Sequence, residues 1–204
     1  MLQFITHKSE KYSMEEEVQM VIEGGCRWIQ LRMDDATDEE FRAAALEIIP
    51  LCREHDAFLI FDDRVDMTRE LEVHGVHLNK GDMTPREARE LLGPGAIVGV
   101  TCTSVDEILA LKGLDIDYAT LVPYRDKKGG EGLGLEGYRD AVEKVRAAGM
   151  TIPIVAYGGV GSDDVEPLLA TGLNGVAMSE KVVSAPDPML YVSAIMEKLL
   201  GIKG

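Results

Sequence analysis

Short β-branched runs alternate along this chain with longer stretches in which apolar positions return at helical spacing, and the alternation does not break from one end to the other. The short runs predict strands over 3–6, 28–33, 58–63, 75–79, 97–102, 118–123, 152–157 and 175–179. Helical spacing predicts helices over 14–23, 38–54, 67–71, 85–92, 105–111, 135–148, 162–170 and 188–200. Eight strand–helix units in succession imply parallel strands joined by right-handed crossovers. Two architectures satisfy that order, a closed (β/α)8 TIM barrel and a doubly wound open sheet. An open sheet of this kind usually carries a glycine fingerprint after its first strand, and Thr6-His7-Lys8-Ser9 has none, which favours the barrel. No Ser-, Pro- or Gly-rich linker divides the 204 residues, so the expectation is one compact domain over 1–204 with short loops.

Barrel enzymes place their chemistry at the carboxyl ends of the strands, and here those ends are polar. Strand two closes on Gln30-Leu31-Arg32-Met33-Asp34, strand three on Asp62-Asp63-Arg64, and strand four on His77-Leu78-Asn79-Lys80-Gly81-Asp82. Strand parity sets Gln30 with Arg32, and His77 with Asn79, opposite an apolar set. If the apolar set meets the helices, the polar set faces the barrel mouth. Strand seven ends in Tyr157-Gly158-Gly159, and strand eight in Met178-Ser179-Glu180-Lys181. Glycine lets backbone approach a ligand closely, and barrels commonly hold phosphate after strands seven and eight. Asp63 and Asp82 stand on adjacent strand ends and make a candidate pair for Mg2+, which takes one or two carboxylates completed by water and substrate phosphate. Plainer readings compete with these. Asp62, Asp63 and Asp66 suit a cap on the next helix or an ion pair with Arg64 or Arg69. Gly158-Gly159 suits a tight turn, and a lone His77 suits a hydrogen-bonded barrel residue. Joint placement on strand ends is what favours a site.

Composition narrows the classes of function. A formal net charge of −15 repels nucleic acid and anionic membrane. No amino-terminal signal pattern or membrane-length apolar run is present, so a cytoplasmic location is expected. Cys26, Cys52 and Cys102 are odd in number and widely spaced, which suits reduced, buried thiols rather than a zinc site or a disulfide framework.

Seven stretches, in order, carry a family resemblance over nearly the whole chain: IQLR, LIFDDRVDM, GVHLNKGDM, IVGVT, IDYATLVP, IPIVAYGGV and NGVAMSEKVVSAPDP. Together they resemble the thiamine phosphate synthase and thiazole tautomerase superfamily. The resemblance implies a (β/α)8 barrel and an Mg2+-dependent transferase of an alkyl group. Such an enzyme joins 4-amino-2-methyl-5-hydroxymethylpyrimidine diphosphate to thiazole phosphate and releases diphosphate. It further implies Asp63 and Asp82 as metal ligands, Arg32 on the diphosphate, Gln30, Asp62 and Thr101 around the pyrimidine, and Gly158, Gly159 and Ser179 on the thiazole phosphate. Arg32, Thr101 and Lys80 form the expected catalytic set, and His77 and Lys127 extend the substrate-binding one. The expected partners are small phosphorylated substrates, with self-association left open.

Several positions depart from the family pattern. Where the synthases continue Arg-Glu-Lys after strand two, this chain has Arg32-Met33-Asp34, and Asp62 takes the place of an asparagine. Lys80 lies in the turn after strand four as a substitute cation. After strand six a Thr-x-Thr-Lys phosphate motif gives way to Tyr124-Arg125-Asp126-Lys127-Lys128. Three readings follow: the synthase, an isomerase of the thiazole tautomerase kind, and a non-catalytic barrel that binds a phosphorylated ligand.

Overall fold

The computed structural model describes residues 1–125 and 132–201. Eight parallel strands form a closed barrel in sequence order: β1 (Leu2–Ile5), β2 (Trp28–Leu31), β3 (Phe58–Asp62), β4 (Gly75–Leu78), β5 (Ile97–Cys102), β6 (Tyr118–Leu121), β7 (Ile154–Ala156) and β8 (Gly175–Met178). Pairing of β1 with β8, in register Leu2 to Val176 and Phe4 to Met178, closes the ring and excludes the open sheet. Helices follow the strands: α1 (Met14–Glu23), α2 (Asp38–Glu54), α3 (Val65–Glu70), α4 (Pro85–Leu92), α5 (Val105–Ala110), α6 (Gly134–Ala147), α7 (Val165–Leu169), α8 (Glu180–Val183) and α9 (Pro188–Gly201).

Local chemistry sets the helix starts. Ser13, Thr37 and Thr84 each accept from the backbone three residues on, while Glu16, Glu40 and Glu87 reach back to the cap's own N–H. The stretch predicted as one helix over 162–170 is instead a 3-10 turn at Ser162–Asp164 followed by α7. Starting the α-helix at Val165 puts Pro167 in its first turn, where a missing N–H leaves no bond unmade. Helix α8 falls outside the periodic reading because four residues are too few to show a period; its Val182 and Val183 are buried.

Most strands stop a residue or two before the end of their apolar run. Arg32, Asp63, Asn79, Tyr157 and Ser179 thus follow the last strand residues at the mouth, Asp63 and Tyr157 still donating their backbone N–H to His77 and Leu121 on the neighbouring strands. Strand parity splits the core accordingly. One face of each strand packs on the helices, as Ile29, Leu31, Leu59 and Phe61 do against Phe41 and Ile48. The other fills the barrel with Ile5, Ile60, Tyr118, Val155 and Ala177. Gly99 is required here, because a Cβ on it would lie 2.1 Å from the Tyr118 ring. Its hydrogen leaves room for that ring inside the barrel. The three cysteines are free and buried. Among the described residues no helix is long and apolar enough to cross a membrane.

Candidate active site

A cavity of about 700 Å3 opens over the carboxyl ends of the strands, lined among others by Asn79, Thr101, Tyr157, Gly158, Ser179 and Lys181. Beneath its rim the inward-facing polar residues form a closed ring of hydrogen bonds. Gln30 Nε2 donates to Asp62 Oδ2 at 2.7 Å, and Asn79 Nδ2 to Asp62 Oδ1 at 2.7 Å. The Thr101 hydroxyl bonds Asn79 Oδ1 at 2.9 Å and His77 Nε2 at 2.7 Å. His77 Nδ1 meets the Tyr118 hydroxyl at 2.8 Å, and Gln3 Nε2 reaches both that hydroxyl, at 3.1 Å, and Gln30 Oε1, at 2.9 Å. Gln3, Gln30 and His77 are buried. Burial, then the charge of Arg32, lowers the His77 pKa to about 3, so its imidazole is neutral. Burial raises the Asp62 carboxyl to about 6 against the opposing pull of Gln30, Arg32 and Asn79.

Arg32 stands beside this ring. Its backbone N–H donates to Thr6 Oγ1 at 2.9 Å, and its Nη1 reaches across the mouth to the Tyr157 hydroxyl at 3.0 Å. Asp34 flanks it at 3.5 Å. Asp63 and Arg64 follow β3 with φ of 55° and 61°, a left-handed pair that breaks the strand. Such backbone is costly for residues with a Cβ and persists where the surroundings impose it. It places the Asp63 carboxylate near enough to Asp82 that burial, and after it the Asp82 charge, raise its pKa. Asp82 is itself held by the Asn79 N–H at 2.6 Å. The capping alternative fails, since α3 begins at Val65 with Arg64 at its N-cap position and no side-chain cap, whereas the Asp63–Arg64 ion pair is present at 3.5 Å. Two neighbouring, mutually repelling carboxylates fit a magnesium ion, which is hard, oxygen-liganded and content with two protein carboxylates. Among the described residues no cluster of three or more metal-type side chains occurs.

The opposite rim is a backbone cradle. Gly158 and Gly159 have φ of 93° and 75°, and a Cβ on either would press on Pro123 or Arg125 at about 3 Å. Both conformation and space therefore demand glycine. The Ser179 hydroxyl is buried and has no partner among the described residues, an orphan donor at the cavity wall. Lys181, exposed and without an ion pair among the described residues, lines the same wall. Arg125 lies alongside with its guanidinium committed to Asp164 and the Gly159 carbonyl.

The predicted residues thus gather in two halves, with two exceptions. Lys80 is exposed and makes no hydrogen bond or ion pair with the other site residues among the described residues; the Glu107 carboxyl, lowered mainly by its hydrogen bonds to Thr103, feels its charge as a lesser influence. Lys127 lies outside the described residues.

The model of the family described as thiamine monophosphate synthase matches residues 2–182. The chain belongs to that family. A thiamine-phosphate synthase of Bacteroides fragilis is 44% identical over 199 residues, covering 96% of this chain and 98% of the relative. Another, from Bacteroides thetaiotaomicron, is 41% identical over 206 residues, covering 99% and 97%. Among solved structures, a thiamine phosphate pyrophosphorylase from Pyrococcus furiosus superposes with a TM-score of 0.87 at 30% identity, covering 100% of this chain and 96% of that one. All three relatives carry the synthase or pyrophosphorylase name, which favours the transferase over the isomerase and the non-catalytic barrel.

Two residues of the ring, Gln3 and Tyr118, carry no mark in the sequence, and two strand-end residues, Tyr157 and Lys181, gain their place only in the structure. Gln3 and Tyr118 lie low inside the barrel rather than at strand ends, and only closure brings β1, β4 and β6 together. Tyr157 was legible as a strand-end residue but not as the partner of Arg32, three strands away round the barrel. Lys181 belongs to the strand-eight end Met178-Ser179-Glu180-Lys181, and its exposure on the cavity wall is what singles it out.

Proposed function

We propose that this chain joins 4-amino-2-methyl-5-hydroxymethylpyrimidine diphosphate to thiazole phosphate, giving thiamine phosphate and diphosphate. One observation supports the assignment of halves: Asn79 and Thr101 share one cavity with the glycine cradle and orphan hydroxyl of β7–β8, and Arg32, on the side of the acidic pair, is bonded to Tyr157 in that cavity's wall. The pyrimidine rests over Gln30, Asp62 and Thr101, its diphosphate beside Arg32. Thiazole phosphate sits in the Gly158–Gly159 cradle, held by the Ser179 hydroxyl and Lys181.

The reaction needs no base. The bond from the pyrimidine methylene carbon to the diphosphate oxygen breaks with its electron pair leaving on oxygen. The thiazole nitrogen then gives its lone pair to the carbon. Arg32, fixed by Tyr157, stays cationic throughout and stabilises charge as it grows on the leaving oxygen. Asp63 and Asp82 would hold magnesium, which when bound supplies further positive charge to the departing diphosphate. The cradle sets the thiazole within reach of the carbon, so orientation replaces a chance encounter.

Turnover with both substrates and Mg2+ should give thiamine phosphate and diphosphate in equal amounts, and a chelator should stop it. Binding of thiazole phosphate without any product would return the chain to the non-catalytic reading.

A further inference from the structure

The ring beneath the mouth has only one self-consistent direction. Both Asp62 oxygens lie between amides and receive N–H from each, so Asn79 turns its Nδ2 to Asp62 and its Oδ1 to Thr101. Thr101 must then donate to Asn79 and accept from His77, which puts the imidazole hydrogen on Nε2. His77 Nδ1 is left as an acceptor, so Tyr118 donates to it, and Gln3 Nε2 donates to Tyr118. The shorter arm runs from Asp62 through Gln30, whose Oε1 also asks for a hydrogen from Gln3 Nε2. Two arms traced separately from Asp62 end on the same atom, which carries the two hydrogens they require. Gly99 makes this possible by leaving the space that the Tyr118 ring fills.

We propose that this ring holds His77 as the Nε2–H tautomer and thereby turns the Thr101 hydroxyl into an acceptor toward the cavity, so that the site selects a pyrimidine presenting an amino group there over one presenting a carbonyl oxygen. The inference rests on the placement of the pyrimidine over Thr101 given above. Thr101 has one hydrogen, spent on Asn79, and one lone pair spent on His77; the lone pair that remains can only receive. An amino group satisfies it, whereas an oxo group sets oxygen against oxygen and leaves both unpaired. A site built around a substrate N–H rejects an analogue without it far more strongly than an apolar pocket does. His77 is on this account a positioning residue: it touches Thr101, not the substrate.

The tautomer is read in the full-length protein with Mg2+ by nitrogen-15 correlation of the histidine rings, with His7, His55 and His74 substituted one at a time to assign His77. Nε2 should carry the proton and Nδ1 should not. An Nδ1–H tautomer or an imidazolium would overturn the ring. Asp62→Asn replaces one acceptor with a donor, so an amide must turn around and Nδ1–H should appear; an unchanged tautomer would remove Asp62 as the anchor. Selectivity is read separately, by calorimetry without thiazole phosphate, using the 4-amino and 4-oxo pyrimidine diphosphates. The wild type should bind the 4-oxo form about tenfold more weakly or worse, and Thr101→Val should narrow that gap. Equal affinities in the wild type would overturn the selectivity. A gap unmoved by Thr101→Val, with the tautomer as expected, would show that the pyrimidine lies elsewhere and so overturn the placement rather than the ring.

Discussion

Arg32, at the end of β2, donates through Nη1 to the hydroxyl of Tyr157, at the end of β7, at 3.0 Å. The bond spans the barrel mouth and ties the half that carries the carboxylates to the half that carries the glycines. Because the guanidinium is planar, this anchor also fixes the plane in which its remaining N–H groups lie. Arg32→Lys keeps the charge but loses the fork, and should lower kcat/KM for the pyrimidine diphosphate by about ten- to a hundredfold, the worth of a charged hydrogen bond of about 1.5–3 kcal/mol. Tyr157→Phe should give a smaller loss in the same parameter. A change confined to the KM for thiazole phosphate would move Arg32 to the other substrate.

Ser179 offers a cleaner test of the cradle than the glycines do. Its hydroxyl is buried with no partner among the described residues, so Ser179→Ala should leave the melting temperature unchanged or slightly raised. The KM for thiazole phosphate should rise about tenfold, as befits one lost bond to a charged group. Lys181→Ala should act in the same direction, with the loss shrinking as salt is added because the side chain is exposed. By contrast Gly158→Asp forces a side chain onto a φ of 93° against Pro123 and should cost both stability and affinity. A Ser179→Ala enzyme with wild-type KM would put the phosphate elsewhere.

Stability should depend on pH through a group that takes no part in the proposed reaction. Glu17 on α1 is buried, accepts the His7 N–H at 3.0 Å, and leaves Oε1 without a partner among the described residues. Burial pushes its carboxyl from the ordinary 4.5 to about 7, outweighing that bond. A raised folded pKa contributes stability that is complete below about 4.5 and is lost as pH climbs through about 7. Asp62 adds to this with the same sign, between 3.8 and about 6. His77 opposes it, since its folded pKa of about 3 lies below the ordinary 6.5 and costs stability as pH falls between them. Glu17→Gln isolates the first contribution. In denaturant melts, wild type should lose stability relative to the variant between about pH 5 and about pH 8, and a constant difference would show that Glu17 does not titrate there.

The barrel, and the polar strand ends on which the candidate site is placed, were legible because both rest on one-dimensional patterns. Alternating periods mark strands and helices, and polar residues closing an apolar run, as Gln30, Asp62 and His77 do, mark the mouth. Contacts that exist only after closure were not legible. Tyr118 reads as an ordinary strand former, and nothing local says that its hydroxyl reaches His77 and Gln3 through the gap left by Gly99. Lys80 stands in the turn after the right strand, but among the described residues no hydrogen bond or ion pair ties it to the ring, and its charge is felt at Glu107 only as a lesser influence beside the Thr103 hydrogen bonds.

The acidic pair gives the most exposed prediction. Burial, and after it the charge of Asp82, raise the Asp63 carboxyl, so without metal the ionised pair destabilises the fold at neutral pH. Asp63 also sits on a left-handed backbone at φ 55°, a conformation asparagine tolerates about as well as aspartate, so Asp63→Asn removes charge without new strain. In metal-free buffer at neutral pH that variant should therefore melt at the wild-type temperature or slightly above. With pyrimidine diphosphate present, added Mg2+ should raise the wild-type melting temperature by the mass-action shift of any ligand that binds only the native state. Asp63→Asn and Asp82→Asn should each abolish that shift along with Mg2+-dependent turnover. Because Asp82 also receives the Asn79 N–H at 2.6 Å, its asparagine variant should lose some stability in metal-free buffer, whereas Asp63→Asn should not. If both variants keep the wild-type response to Mg2+, the ion is held by substrate oxygens and other groups, and the two aspartates must be assigned to something other than metal.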